Sequence, residues 1–242
     1  MGIDIGGSGI KGARVDSATG ELRTDRLRFP TPRPATPAAV AAVVARIAAA
    51  TGHDGPIGAA FPAVISRGIA LSAANVDKSW IGADVDALLS TATRRPVTVL
   101  NDADAAGLAE VRFGAARGQG GVVIVLTFGT GIGSALFIDG RLVPNTELGH
   151  LELDGVEAES RAAASARDNE RLSYKQWARR VQRYMSHVEA LFAPDLFVVG
   201  GGISKEARDW VPRLKLRAPI RVAELLNNAG IVGAALAAAE RR

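Results

Sequence analysis

The segment "VTVLNDADAAG" places Asn101 and Asp102 directly after an apolar run, the position where a strand of an α/β protein presents side chains to a ligand. An Asp there can accept a hydroxyl proton while the neighbouring Asn holds another hydroxyl. The same residues also suit a plainer role, because Asp102 or Asp104 can cap the helix that "ADAAGLAEVRFG" predicts. A second group stands in the loop-rich stretch "NTELGHLELDGVEAES", which offers Glu147, His150 and Glu159. Carboxylates and an imidazole make the directional hydrogen bonds that fix the hydroxyls of a sugar. One histidine with two carboxylates matches no strong metal-ligand spacing, and a lone loop histidine also serves as a structural hydrogen-bonder.

Glycines supply a third kind of chemistry. In "DIGGSGIKGARVD", Gly7, Gly9 and Gly12 stand in G-x-G-x-x-G spacing. A dinucleotide fingerprint needs a helix opening at those glycines, its N-terminus facing a pyrophosphate. Here the apolar alternation resumes with Ala13 and Val15, which predicts strand, tight turn and strand. An ordinary glycine-rich turn fits this stretch equally well when it is taken alone. The pattern returns, however: Gly129, Thr130, Gly131, Ile132 and Ala135 lie 122 positions after Gly7, Ser8, Gly9, Ile10 and Ala13. Duplication at half the chain length predicts two related α/β lobes, each with a glycine hairpin whose amides can cradle phosphate. "LFVVGGGISKEA" adds a buried strand ending in Gly200, Gly201 and Gly202, with Ser204 as the expected N-cap of a following helix. The three glycine turns are expected to converge on one ligand.

The elements that must position these groups follow from periodicity. "PAAVAAVVARIAAATG" predicts a helix ending at Gly52, "PIGAAF" and "RPVTVLN" predict strands, and "AGIVGAALAAAERR" predicts a last helix. "LSYKQWARRVQRYMSHVEALFAPD" predicts a long helix opened by Ser173 and Gln176 in capping-box spacing. Arg171, Lys175, Arg179 and Arg183 recur every four residues and are expected along one stripe of it. That stripe is either a solvated face or a track for a polyanion. The surrounding region favours positive charge: residues 160–221 carry 13 Arg and Lys against 6 Asp and Glu, in a chain whose formal net charge is +4.

Composition bounds the chemistry further. The 242 residues are 48% hydrophobic, enough for one large domain or two modest lobes with real cores. There is no cysteine, so thiolate nucleophiles, disulfides and Cys-rich zinc sites are excluded. Apolar runs are short or interrupted by charge and glycine. A soluble, cytoplasmic protein with no membrane partner is expected.

In order along the chain, "DIGGSGIKGA", "SAANVDKSWIG", "LNDADAAG", "LTFGTGIGSALF", "NTELGHLE", "AESRAAA" and "VVGGGISKEA" resemble the ROK sugar kinases, and within them the polyphosphate glucokinases. The resemblance implies an α/β, two-lobed actin/hexokinase-like (ribonuclease H-like) ATPase fold with a central cleft. It implies a small domain of residues 1–100 plus about 226–242 and a large domain of 101–225. The implied reaction is phosphorylation of glucose at its 6-hydroxyl from inorganic polyphosphate or ATP, with Mg²⁺. In that scheme Asp102 is the catalytic base, and Asn101, Glu147, His150 and Glu159 bind the sugar. Asn75 and Lys78 lie in the segment particular to the polyphosphate branch. Gly6, Gly7, Ser8, Gly9, Lys11, Thr130, Gly131, Gly133 and Gly200 to Gly202 hold phosphates, and Asp4 orients Mg²⁺ through water.

Many ROK proteins carry a Cys-rich zinc motif after "GH"; this chain departs from that pattern, so no zinc is expected. A homodimer is implied, and nucleic acid is not an expected partner. An ATP-only kinase for glucose, mannose or an N-acetylated hexosamine is the nearest alternative. A sugar-sensing regulator is a more distant one, because the family's repressors add a helix-turn-helix segment ahead of the kinase-like region, whereas here Met1 abuts the first strand.

Overall fold

A computed structural model describes residues 1–73 and 76–240. The chain divides into two compact units, Met1–Ala109 with Asn227–Arg242 and Glu110–Leu226.

The first unit is built on β1 (Gly2–Ile5), β2 (Ile10–Ala13), β3 (Leu27–Phe29), β4 (Ile57–Phe61) and β5 (Val97–Asn101), in the order 3-2-1-4-5. β1 pairs antiparallel with β2 and parallel with β4, and β4 pairs parallel with β5. Helices α1 (Pro37–Ala50) and α2 (Val85–Thr93) carry Val40, Val44, Ile47 and Leu89 into a core with Ile3, Ile5, Phe61 and Trp80. Thr36 caps the first of these helices and Asp84 the second, each through a side-chain oxygen, as the sequence chemistry of helix starts favours.

Helix α3 (Asp102–Phe113) follows β5 without a loop. The division between units falls after Ala109, not at the expected residue 100. β5 is hydrogen-bonded into the first sheet up to Phe61↔Asn101, and the helix Ala229–Glu240 packs against α3 so closely that a Cβ on Gly233 would lie 1.7 Å from the Ala105 carbonyl oxygen. The early turns of α3 are therefore part of the first core. The same helix lies on the sheet, where a Cβ on Gly2 or Gly58 would fall 1.8 or 1.7 Å from the carbonyl oxygens of Ile231 and Ala234. Its run of alanines and glycines is what such an approach demands, because it is buried on almost every side.

The second unit repeats the plan. β6 (Val122–Phe128), β7 (Ile132–Ile138), β8 (Arg141–Val143), β9 (Leu196–Gly200) and β10 (Ile220–Val222) lie in the order 8-7-6-9-10. β6 is antiparallel to β7 and parallel to β9, the same relations found in the first sheet. The 122-residue repeat in sequence is thus a repeat in topology.

Helix α4 (Tyr174–Phe192) opens with the Ser173–Gln176 capping box. It buries Trp177, Ala178, Val181, Tyr184, Met185 and Val188, the i, i+3, i+4 spacing of one apolar stripe. Trp177, Trp210 and Phe128 meet edge to face at centroid distances of 5.0–5.9 Å in the centre of this core. Two expectations change here. Arg171 lies before the helix with φ +52°, so the stripe on α4 begins at Lys175. Ser204 caps no helix: its hydroxyl donates to the Gly201 carbonyl at 2.8 Å inside a short 3₁₀ turn, Gly202–Glu206.

Among the described residues, no helix is long and apolar enough to cross a membrane.

Candidate active site

Asp102 is the first residue of α3 and is exposed at the end of β5. The capping work falls mainly on its neighbour: Asn101 Oδ1 accepts from Ala103 N (2.8 Å) and Asp104 N (3.1 Å). Asn101 Nδ2 donates to the Ala63 carbonyl at 3.1 Å, and the residue is only 8% exposed. One amide hydrogen of Asn101 remains for a ligand, so its larger role here is to fix the strand end that presents Asp102. Asp102 Oδ1 accepts from Ala103 N at 2.9 Å.

The first glycine hairpin joins β1 to β2. Gly6 N donates to Gly9 O at 3.1 Å, which leaves Gly7 and Ser8 exposed at the tip. Asp4 and Lys11 are direct cross-strand partners and their side chains form an ion pair at 3.1 Å. Lys11 is in turn the cross-strand partner of Arg28 on β3, whose guanidinium lies over Gly9. The carboxyl of Asp4 also sits beside Gly230, in the first turn of the helix Ala229–Glu240, where the amide end of a helix favours negative charge. Arg28 was missed in the sequence because strand register, not spacing, brings it to the hairpin.

The second hairpin joins β6 to β7, closed by Gly129 N donating to Gly131 O at 2.9 Å. Thr130 is exposed at its tip, and Gly133 lies within β7 opposite Thr127. Ser165 braces the tip from behind, donating from Oγ to Thr130 O (2.6 Å) and from N to Gly129 O (3.0 Å). The third glycine turn adjoins this hairpin: Gly201 has φ +84°, and a Cβ there would fall 2.3 Å from the Phe128 carbonyl oxygen. Gly200 ends β9, and Gly202 has open space around it. The two glycine turns of the second unit therefore meet.

Glu147, His150 and Glu159 come together in the second unit. His150 Nε2 lies 3.8 Å from Glu147, and its Nδ1 lies 3.3 Å from Glu157 and 4.0 Å from Glu159. Glu157 was not foreseen; a two-strand hairpin, Glu152–Leu153 with Val156–Glu157, folds it back. Buried Ser134 holds the approach to Glu147 by donating to Thr146 O (2.5 Å) and accepting from Leu148 N (3.0 Å). Glu159 Oε2 accepts from Ile132 N at 2.9 Å, tying the short helix Glu159–Ala162 to the second hairpin. Trp177 fastens the same helix from below by donating to the carbonyls of Ala162 and Ala163 at 3.0 and 3.1 Å.

Space is tight at this point. A Cβ on Gly131 would meet Glu159 Oε2 at 2.4 Å, and one on Gly149 would meet the Ile132 carbonyl oxygen at 2.3 Å. The glycine in "ELGH" is explained by that approach. Burial raises the Glu147 pKa, and the charge of Glu159 adds to the effect while His150 opposes it. His150, Glu157 and Glu159 offer one nitrogen and two oxygens within 4.8 Å of one another, a donor set also able to hold a cation.

Lys78 is exposed on a 3₁₀ turn, Lys78–Trp80, anchored by Trp80 Nε1 donating to Ala35 O at 2.8 Å. Asn75 lies outside the described residues. On α4, Lys175 and Arg179 are exposed, and Arg183 donates to Asp154 at 2.5 Å.

Two α/β units of one strand order, each with a glycine hairpin after its first strand, define the actin/hexokinase-like class of phosphotransferase folds. The chain belongs to the ROK family, whose model matches residues 1–170. It is 52% identical over 238 residues to a polyphosphate glucokinase of Mycobacterium tuberculosis (strain CDC 1551 / Oshkosh), covering 98% of this chain and 90% of that protein. The crystal structure of an inorganic polyphosphate/ATP-glucomannokinase from Arthrobacter sp. strain KM is 55% identical, with a TM-score of 0.95 over 100% of this chain and 98% of that one. A ROK family glucokinase from Streptomyces griseus, solved with glucose and AMPPNP, is 25% identical, with a TM-score of 0.84 over 99% and 98% of the two chains.

Proposed function

We propose that this protein transfers the terminal phosphoryl group of inorganic polyphosphate or ATP to the 6-hydroxyl of glucose. The observation that carries the reading is the division of labour at the end of β5: Asn101 takes the helix-capping bonds, and Asp102 stands exposed beside it. Near-full-length likeness to polyphosphate glucokinases supplies the donor and acceptor. Asp102 takes the hydroxyl proton as the sugar oxygen bonds to phosphorus and the bridging phosphorus–oxygen bond of the donor breaks. Glu147, His150 and Glu159 hold the sugar's other hydroxyls. The amides of the glycine turns, with Lys11, offset phosphate charge.

Mg²⁺ is the metal this reading requires, and when bound it neutralises charge on the transferring phosphates. Asp4 fits the role: it is a half-buried carboxylate at the root of a phosphate hairpin, and Mg²⁺ is ordinarily held by one or two carboxylates together with phosphate oxygens. A homodimer is part of the same proposal. Mannose is a second acceptor under this reading, favoured by the likeness to a glucomannokinase.

The test is formation of the sugar 6-phosphate by the purified protein with Mg²⁺, with glucose and mannose as acceptors and ATP or long-chain polyphosphate as separate donors. Turnover with both donors is expected. Asp102→Asn should lower kcat by about 10² to 10⁴-fold with glucose binding retained. Near-normal turnover in that variant removes Asp102 from the role of base.

A further inference from the structure

The second unit contains a cavity of about 510 Å³ apart from the glycine turns, within the range of about 300–1,000 Å³ usual for ligand sites. Its walls are the turn Leu153–Val156, the short helix that begins at Glu159, and the outer face of α4. Arg161, Arg179, Arg180 and Arg183 line it, against the two carboxylates of Asp154 and Glu170. Those carboxylates are already engaged. Arg180 makes a two-pronged pair with Glu170 at 2.6 and 2.7 Å, and Arg183 pairs with Asp154. Among the described residues, the guanidinium groups of Arg161 and Arg179 make no hydrogen bond or ion pair within 4 Å.

A second observation points the same way. Tyr184 lines the cavity and is fully buried, and among the described residues its hydroxyl has no hydrogen-bond partner. A buried unpaired hydroxyl costs free energy, so a structure that retains one has reason to pair it with a ligand. Burial raises the phenol pKa, with the charge of Glu159 adding to it, and this keeps the group a proton donor. Guanidinium groups have no acceptor atoms, and a ligand that serves them together with this phenol must bring oxygens that accept. Phosphate oxygens fit both the charge and the fork geometry of arginine.

We infer that this cavity binds the distal phosphates of an inorganic polyphosphate chain, with Arg161, Arg179 and Tyr184 as its contacts. The inference rests on the donor reading above and replaces a linear stripe on α4 with a built pocket. Its place explains the choice of donor. The wall helix starts at Glu159, which is bonded to the second hairpin, so one short helix is shared between that hairpin and the pocket wall. A polymer extends past the three phosphates of a nucleotide and can occupy such a second subsite, whereas ATP cannot.

The experiment compares wild type, Arg161→Gln/Arg179→Gln and Tyr184→Phe by steady-state kinetics with long-chain polyphosphate and with ATP. Titration calorimetry of long-chain polyphosphate without glucose accompanies it. The double variant should raise KM for polyphosphate roughly tenfold or more, from charge-assisted contacts of ordinary strength, and weaken the calorimetric affinity in parallel. kcat at saturating polyphosphate should hold. Tyr184→Phe, which removes only the hydroxyl, should raise the same KM by about threefold.

An equal rise of KM for both donors overturns the inference, as does wild-type affinity for polyphosphate in the double variant. A change in sedimentation of the double variant without a change in affinity assigns the pocket to a contact between copies and also overturns it. Wild-type turnover with ATP alone defeats the donor reading itself, whereas wild-type polyphosphate turnover with insensitive variants defeats only the pocket.

Discussion

The two glycine hairpins share a backbone plan and differ in everything around it. Each joins the first two strands of its sheet and is closed by a short amide-to-carbonyl bond, Gly6 to Gly9 in one and Gly129 to Gly131 in the other. The first is flanked by Lys11 and Arg28, with the carboxylate of Asp4 paired to Lys11. The second is flanked by Glu159, with His150, Glu147 and Glu157 close behind. A repeat of topology has therefore been given opposite electrostatics. The cations beside the first hairpin suit the phosphates of a donor, while the carboxylates beside the second suit the hydroxyls of an acceptor, and the backbone amides of both remain suited to phosphate. What the duplication preserved is the close approach of backbone amides; what it changed is the side chain beside them.

That contrast is open to direct attack. Lys11→Ala should lower kcat/KM for ATP and for polyphosphate alike by about 10²-fold, the size usual for one lost donor to developing charge, and leave KM for glucose unchanged. A rise in the glucose KM instead would erase the distinction between the hairpins. Gly131→Ala should act in the opposite sense, because the new methyl displaces the Glu159 carboxylate. KM for glucose should rise about tenfold, and by more than KM for either donor. A double-mutant cycle sharpens this: if the methyl works through Glu159, Gly131→Ala with Glu159→Gln is no worse than the poorer single variant. Additive losses would mean that Gly131 has a separate role at the hairpin.

The parts of this arrangement legible in the sequence are those written locally. Alternation interrupted by glycines gave strand, turn and strand at both motifs, and the Ser173–Gln176 spacing gave the start of α4. Residues that meet through register or through a chain reversal were not legible. Arg28 reaches the first hairpin only because β3 pairs with β2 in that register, and Glu157 reaches His150 only through a tight turn at Asp154 and Gly155, both with positive φ. A four-residue periodicity placed Arg171 on a helix that starts after it, since periodicity says nothing of where a cap falls. Asn101 and Asp102 were seen as a pair, but which of them caps α3 depends on carbonyl and amide positions that no spacing encodes.

The smallest effect expected concerns protons. Burial is the main reason the Glu147 pKa is raised, so this carboxylate gains its proton at a higher pH than an ordinary glutamate. Protonation removes an acceptor for a sugar hydroxyl. KM for glucose should therefore rise by a few-fold as pH falls toward the acid range, beginning earlier than an exposed glutamate would allow, and Glu147→Gln should flatten that limb. Stability carries the same sign. A carboxyl with a raised folded pKa contributes stability that is full below its unfolded value and lost as pH rises through its folded value. Glu147→Gln should accordingly gain on wild type in thermal melts near neutral pH and lose that advantage below about pH 4. If the KM limb persists in the Gln variant, protonation of the half-buried Glu147 is not what weakens the hold on the sugar.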